Sequence, residues 1–174
     1  MRVAVFILYA LLFSLFFGKD GLNPQIIVNK TFGFELTIPN SLIGDKHSGN
    51  ECDTPQLYYD TTAGVILMIS GRPSIFEDIK SYLDCSKEEL EKELQNFQGD
   101  TSLRLVECRI SPYYPANAIL LHFETAAYPS NFNRCLVYFF HYKNKEVQFF
   151  FLYNKANAES LSYIDKIMRS LILL

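Results

Sequence analysis

The sequence of 174 residues predicts one α+β domain over residues 26–174, with an antiparallel sheet of about six to seven strands covered by helices on both faces. Two observations predict this fold class. Short runs rich in aromatic and β-branched residues recur with turn residues between them, as is typical of strands that pair with their sequence neighbours. Two segments with helical spacing of apolar residues lie before and after the last four runs, where they can cover the sheet.

Segment 26–39 predicts a strand that buries one face, because apolar residues alternate along it until Pro39 ends the run. The buried face would consist of Phe32, Phe34, Leu36 and Ile38. Residues 56–71 predict two further strands with a break near residues 61–64. The second of these is apolar without alternation, as expected for a strand that is covered on both faces.

Three segments predict helices. Apolar residues at helical spacing mark residues 75–83. Ser86 and Glu89 form a capping box at the start of the next helix, and Gly99 ends it. Asn157 is the predicted N-cap of a C-terminal helix. The expected buried stripes are Leu90, Leu94 and Phe97 in the second helix, and Leu161, Ile164, Met168 and Leu171 in the last.

The runs after residue 102 predict an antiparallel meander, and the last two form a hairpin rich in aromatic residues. A two-residue turn at Asn144-Lys145 would place Phe139 opposite Phe150. Both faces of this hairpin would then be apolar, so we expect the rings to lie in the core. One face would carry Tyr138, Phe140, Tyr142, Phe149, Phe151 and Tyr153, and the other Phe139, His141, Phe150 and Leu152.

Residues 1–18 predict export. Arg2 precedes an apolar run over residues 3–17, which as a helix would span about 22 Å, less than the ~30 Å hydrocarbon core of a bilayer. This pattern is typical of a signal peptide, with an anchor that is not cleaved as the alternative. A polar linker at 19–25 would follow. We therefore expect a periplasmic, envelope or secreted protein, or one anchored by residues 3–17.

The four cysteines, Cys52, Cys85, Cys108 and Cys135, agree with an oxidising compartment, because they are even in number and form no C-x-x-C pair. We expect two structural disulfides, with buried thiols as the alternative. The predicted meander separates Cys108 from Cys135 by more than the ~7 Å that a bridge allows. If both bridges form, Cys52 pairs with one of these two and Cys85 with the other.

The best candidate for chemistry is a pair of histidines on neighbouring strands. A connection centred after Asn131 would place His122 opposite His141, with Glu124 on the same face. Such a set could hold a metal ion or act in acid–base catalysis. The alternative is that the histidines have only structural roles, and a one-residue slip in register would separate them.

Other chemistries find little support in the sequence. A net charge of −3 without a basic stripe argues against nucleic-acid binding. The sequence has no G-x-S-x-G, Walker or G-x-G-x-x-G motif, and it predicts no cofactor. Five tyrosines near predicted strand ends are candidate contact residues for a partner protein. They are Tyr58, Tyr59, Tyr113, Tyr114 and Tyr128.

The stretch "FGFELTIPNSL" resembles the opening F-x-apolar-x-x-P of PsbP-like and DcrB-like domains. The order of elements over residues 26–174, ending in "RSLIL", is also similar. A tryptophan common after the proline in that family is replaced here by Leu42 and Ile43. The resemblance implies an antiparallel sheet between helices and an accessory or binding role, and it assigns no functional residue.

These observations favour an exported protein that binds another envelope or secreted protein and has no enzymatic activity. We expect contact with a membrane only through an uncleaved N-terminal segment. One alternative is a carrier of a small lipophilic ligand in an aromatic pocket. The other is a hydrolase or metal-binding protein that uses His122 and His141.

Overall fold

The computed structural model describes residues 24–44, 56–73, 81–113, 116–127, 132–142 and 145–174. The predicted signal at 1–18, residues 75–80 of the helix predicted at 75–83, and Cys52 lie outside these ranges. The strands are β1 (Gln25–Asn29), β2 (Phe34–Ile38), β3 (Ile43–Gly44), β4 (Gln56–Asp60), β5 (Val65–Pro73), β6 (Arg104–Tyr113), β7 (Ala116–Glu124), β8 (Arg134–Tyr142), β9 (Lys145–Tyr153) and β10 (Ile172–Leu173). The helices are α1 (Ser81–Asp84), α2 (Lys87–Gln98) and α3 (Ala158–Met168).

The strands form two antiparallel sheets. The large sheet has seven strands in the order β3-β4-β5-β9-β8-β7-β6, which confirms the predicted antiparallel sheet and its meander. The small sheet has the order β1-β2-β10 and was not predicted as a separate unit. None of the helices within the described ranges is long and apolar enough to cross a membrane.

Alternate residues of the large sheet belong to two separate hydrophobic clusters. The first cluster packs one face of the sheet against β2 and α3, through residues such as Phe34 and Ile164. The second contains Leu90 and Leu94 of α2 and the opposite side chains of β7, β8 and β9. The predicted helical cover of both faces is therefore not confirmed in that form, because the small sheet shares the first face with α3.

The aromatic hairpin is formed by β8 and β9, and the rings whose side chains the structure describes are buried as predicted. Tyr142 pairs with Lys145, so the turn between β8 and β9 is centred one residue earlier than expected. Phe139 therefore lies opposite Gln148 rather than Phe150. Because the register differs by two positions, each described ring stays on its predicted face. Phe149 makes edge-to-face contacts with Phe34 and Phe140, at ring-centroid distances of 5.3 and 5.9 Å.

The ends of the two longer helices agree with the sequence. Ser86 and Glu89 form the capping box of α2, and Gly99 closes it with a φ of 66°. Asn157 caps α3 by accepting a hydrogen bond from the Glu159 N–H. One predicted core residue is wrong: Leu161 of α3 is 49% exposed, whereas Ile164, Met168 and Leu171 are buried.

Gly71 of β5 is the point where the turn between β1 and β2 rests on the large sheet. A Cβ atom at this position would lie 2.4 Å from Cε1 of Phe32, so the Phe32 ring fits only over a glycine. The Lys145 ammonium lies 5.8 Å from the centroid of the same ring and also donates to the Thr31 carbonyl. The small sheet is thus held on the large one at this contact.

Asp60 joins the turn after β4 to α3. Its carboxylate accepts hydrogen bonds from the N–H groups of Thr62 and Ala63, each at 2.9 Å, and from the Tyr163 hydroxyl at 2.7 Å. The Ala63 carbonyl in turn accepts from Asn157 Nδ2. Burial by itself raises the pKa of Asp60. These hydrogen bonds and one from Ser41 together lower it by a larger amount, so the pKa lies below its ordinary value.

Replacement of Gly71 by alanine is expected to lower the free energy of unfolding by about 1–3 kcal/mol, because the new methyl group must displace the Phe32 ring. Urea unfolding measures the change. In the Phe32→Leu background the same substitution should cost less, since the smaller side chain can move aside. An unchanged stability of Gly71→Ala would contradict the contact.

Replacement of Asp60 by asparagine is expected to destabilise the protein more at pH 7 than at pH 3. Because the pKa of Asp60 is lower in the folded chain, its ionised form stabilises the fold above the unfolded value of about 3.9, and this contribution is lost as the pH falls through the folded pKa. Urea unfolding at both pH values measures the difference. The exposed Asp84→Asn variant is the control, and a loss that is equal at the two pH values would disprove the role of Asp60.

Candidate protein-docking surface

The outer face of the small sheet carries exposed apolar side chains in register. Val28 of β1 and Ile172 of β10 both pair with Glu35 of β2, and Ile26 pairs with Thr37. The exposed fractions of Ile26, Val28 and Ile172 are 57%, 50% and 46%. We call these three residues the outer patch. The alternate residues of β2 (Phe34, Leu36 and Ile38) are buried against the large sheet, so the patch lies on the opposite face, which no described residue covers.

Local hydrogen bonds fix the hairpin that presents the outer patch. The Asn29 side chain accepts from the Phe32 N–H at 2.9 Å, and the Asn29 carbonyl accepts from the Gly33 N–H at 2.8 Å. Gly33 has a φ of 71°, which favours glycine. The Ser170 hydroxyl joins both the N–H and the carbonyl of Thr37 to the segment before β10.

The free edge of β1 lies beside the outer patch. Within the described ranges, β1 pairs with β2 on one side and with no strand on the other. Its sequence, Gln-Ile-Ile-Val-Asn, contains no charge or proline, and its pairing with β2 runs without a bulge. Such an edge presents backbone N–H and C=O groups to an added strand.

The other edges are protected in ways that β1 is not. Strands β3 and β10 have two residues each. β6 has a register shift between Leu105 and Glu107, and Glu107 forms an ion pair with Arg109 at 2.9 Å. Short edge strands, bulges and charged side chains all oppose pairing with another chain. β1 is therefore the candidate edge among the described strands.

Of the predicted contact tyrosines, Tyr58 and Tyr59 are the two whose side chains the structure describes, and they face opposite ways. Tyr59 is exposed and pairs with Ile43, whereas Tyr58 is half-buried and contacts Gly44. Burial raises the pKa of Tyr58. Tyr113 is the last residue of β6, and Tyr114 and Tyr128 lie outside the described residues. Adjacent positions in a strand point to opposite faces, so Tyr58 and Tyr59 cannot act as one contact.

The predicted histidine constellation is not assembled. His122 lies opposite Leu136, and His141 lies opposite Glu146, because the Thr125 N–H bonds to the Asn133 carbonyl and centres the connection before Asn131. His122 shares a face with Leu120 and Leu136 of the first cluster, while His141 shares the opposite face with Phe139. Among the described residues no group of three potential ligands could hold a metal ion.

Two members of that constellation, His122 and Glu124, each have a structural partner nearby. His122 Nε2 lies 3.0 Å from the Tyr153 hydroxyl, and Glu124 forms an ion pair with Arg134. Burial and the positive charge of Arg134 lower the pKa of His122, which favours the neutral imidazole. Burial also raises the pKa of Tyr153. The contact between His122 and Tyr153 therefore has the features of a structural hydrogen bond beside the first cluster rather than those of a catalytic dyad.

Asp100 is the second buried carboxylate, after Asp60, and it too closes a turn. It accepts from the N–H and hydroxyl of Ser102, at 2.8 and 2.6 Å, and from the Thr125 hydroxyl at 2.6 Å. Burial by itself raises the pKa of Asp100. The hydrogen bonds from Ser102 and Thr125 together lower it by a larger amount, so the pKa lies below its ordinary value. Its partners give it a role in holding the start of β6 near the end of β7.

No disulfide joins Cys85, Cys108 and Cys135 to one another. Cys85 and Cys108 are half-buried, and Cys135 is fully buried in the second cluster. Cys108 pairs with Leu121 of β7, and Cys135 pairs with Phe123 on the other side of the same strand. Two strand spacings, about 10 Å, separate them, which agrees with the expectation that they do not bond.

The outer patch was not among the residues predicted from sequence. Segment 26–39 was predicted as one strand with its buried face on Phe32, Phe34, Leu36 and Ile38, and no role was assigned to residues 26–28. A signal was present in the order of residues. An uncharged run follows Pro24, and Asn29 and Gly33 frame a turn, as in a hairpin whose first strand lies at an edge.

The architecture is similar to two proteins of known structure. Cyanobacterial PsbP (CyanoP) from Synechocystis matches with a TM-score of 0.63 and 14% identity, covering 90% of this chain and 96% of that chain. The Ran-binding protein Mog1p of Saccharomyces cerevisiae matches with a TM-score of 0.56 and 9% identity, covering 88% and 96%. The chain therefore has a PsbP-like fold, as the resemblance in its sequence indicated. No protein-family model and no curated protein matches the sequence.

Proposed function

We propose that this protein is a non-enzymatic binding protein whose partner is another polypeptide, docked in extended conformation along the free edge of β1. The observation that carries the proposal is the combination of that edge with the exposed side chains of Ile26 and Val28. Strand addition uses backbone hydrogen bonds for affinity and alternate side chains for specificity. A partner strand with apolar residues at alternate positions would extend the outer patch.

The size of the patch limits the affinity. Full burial of an aliphatic side chain contributes roughly 1.5–3 kcal/mol, so three side chains that are about half exposed contribute roughly 2–5 kcal/mol. Three to five strand hydrogen bonds add about 0.5–1.5 kcal/mol each. Association costs roughly 4–15 kcal/mol in lost freedom. We therefore expect a dissociation constant on the order of micromolar or weaker.

The structural neighbours support a protein partner. Mog1p carries Ran binding in its name, so the same fold serves protein recognition in at least that case. The apolar run after Arg2 supports the further proposal that residues 1–18 direct export and that the partner is an envelope or secreted protein. An uncleaved residue 3–17 segment would place β1 close to a membrane, since only a short linker separates them.

The alternative functions lack an observation in their favour among the described residues. The aromatic side chains of the proposed carrier pocket contact one another instead: Tyr138 and Phe151 pack edge to face with ring centroids 6.0 Å apart. The histidines of the proposed enzyme lie on opposite faces of the sheet.

The proposal predicts that lysine at Ile26 and Val28 together weakens partner binding by at least about tenfold, because it places charges in the buried part of the interface. A photo-crosslinking amino acid at Ile26 would first identify the partner in the native envelope fraction. Titration calorimetry with the purified partner would then compare the variant with the wild-type chain. Hydrogen exchange of the β1 amides should slow in the complex.

Leu161→Lys is the matched control, because Leu161 of α3 is similarly exposed and gains the same charge. It should bind the partner as the wild type does. Equal binding by the β1 variant, or crosslinking from Ile26 only to lipid or to a second copy of the chain, would contradict the proposal. Thermal unfolding confirms that both variants are folded, since exposed substitutions usually change stability by no more than about 0.5 kcal/mol.

A further inference from the structure

The packing of α2 against β6 brings together two cysteines that lie far apart in the chain. Glu91 Oε1 accepts a hydrogen bond from the Leu105 N–H at 2.7 Å, and Gln95 Nε2 donates to the Leu103 carbonyl at 2.8 Å. A step of four residues toward the C-terminus of α2 therefore matches a step of two residues toward the N-terminus of β6. The helix and the strand run antiparallel, with nearly equal advance: about 6 Å on the helix and about 7 Å on the strand.

Extending this alignment in the other direction leads from Glu91 to Cys85 and from Leu105 to Cys108. Cys85 lies about 10 Å before Glu91 along the helix axis, since one extended residue precedes the N-cap Ser86. Cys108 lies about 7–10 Å beyond Leu105, depending on how the bulge at that point shortens the strand. Cys85 and Cys108 therefore lie level with each other along the shared direction of helix and strand, to within about 3–4 Å.

The side chains agree with this alignment. Cys85 and Cys108 are both half-buried, and both pack against the second hydrophobic cluster. The capping box fixes the backbone beside Cys85, because the Ser86 N–H donates to Glu89 at 2.8 Å. Burial raises the pKa of the Cys108 thiol, and the charge of a nearby Cys85 thiolate raises it further. This effect agrees with the placement of the two thiols near each other beside the second hydrophobic cluster.

We propose that Cys85 and Cys108 form a disulfide that locks the start of α2 to the edge strand β6. Of the two arrangements that the sequence left open, this selects the pairing of Cys85 with Cys108. Cys135 on β8 cannot be the partner of Cys108 on β6, because β7 lies between them and two strand spacings separate the two residues. The inference rests on different residues from the proposed docking function.

The oxidation balances with a small-molecule or protein disulfide as the oxidant. One thiolate attacks a sulfur atom of the oxidant and releases one thiol, which forms a mixed disulfide. The second thiolate attacks the protein sulfur of that mixed disulfide and releases the other thiol. Two electrons pass to the oxidant, and the two protons of the cysteines end on the released thiols.

The test is peptide mapping of the purified full chain after exposure to oxidised glutathione. We expect one cross-linked pair of peptides, containing Cys85 and Cys108, and a mass lower by two hydrogen atoms. The midpoint of thermal unfolding should fall by about 5–10 °C on reduction, because the crosslink restricts the unfolded chain. Cys85→Ser and Cys108→Ser should each abolish both effects.

Cys52→Ser is the control and should leave the crosslink and the shift in place. Two results would overturn the proposal. One is a crosslink that joins Cys85 or Cys108 to Cys52 or Cys135. The other is alkylation of Cys85 and Cys108 in the folded, oxidised chain at the same rate as in the reduced chain. Circular dichroism establishes that the serine variants are folded, so loss of the crosslink reports on the cysteine pair.

Discussion

The burial of β9 on both of its faces is the constraint on which the rest of the structure depends. All of its residues after Lys145 are buried, and its aromatic side chains alternate between the two hydrophobic clusters. Each buried phenylalanine contributes roughly 1.5–3 kcal/mol only if water is excluded from its face. The central strands therefore require a cover on each side, and the remaining elements are arranged to supply it.

The two covers differ in kind, and this difference determines which surfaces stay exposed. On one face, β2 places Phe34 against Phe149 and α3 packs beside it. A strand has two faces, so a sheet that covers the core with one face exposes the other. A helix such as α2 can cover the opposite face with Leu90 and Leu94 while most of its remaining positions are polar. The outer patch thus exists because a sheet, rather than a helix, forms part of the first cover.

The sequence predicted those features that depend on local pattern. The capping residues Ser86 and Asn157 and the alternation of Phe34 with its neighbours identified helices and a strand, because these signals act within a few residues. The register between strands was harder to predict. The register of β8 and β9 differs from the predicted one by two positions, an even number, so each described ring kept its face. The register of β7 and β8 differs by five positions, an odd number, which separated His122 from His141. Loop centres depend on tertiary bonds such as that from Thr125 to Asp100, which sequence pattern does not show.

The small sheet could not be predicted for the same reason, and it also explains where a partner can dock. β10 has two residues and pairs with β2 far away in the chain, so no local pattern marks it. Because β2 pairs with β10 on one side and with β1 on the other, β1 is left as an edge strand of the small sheet within the described ranges. The edge at β6 is closed by side chains of α2, by a bulge and by an ion pair, whereas β1 has none of these features within the described ranges. Unprotected edges favour aggregation unless a partner covers them, so the proposed partner strand would account for an edge strand without charge or proline.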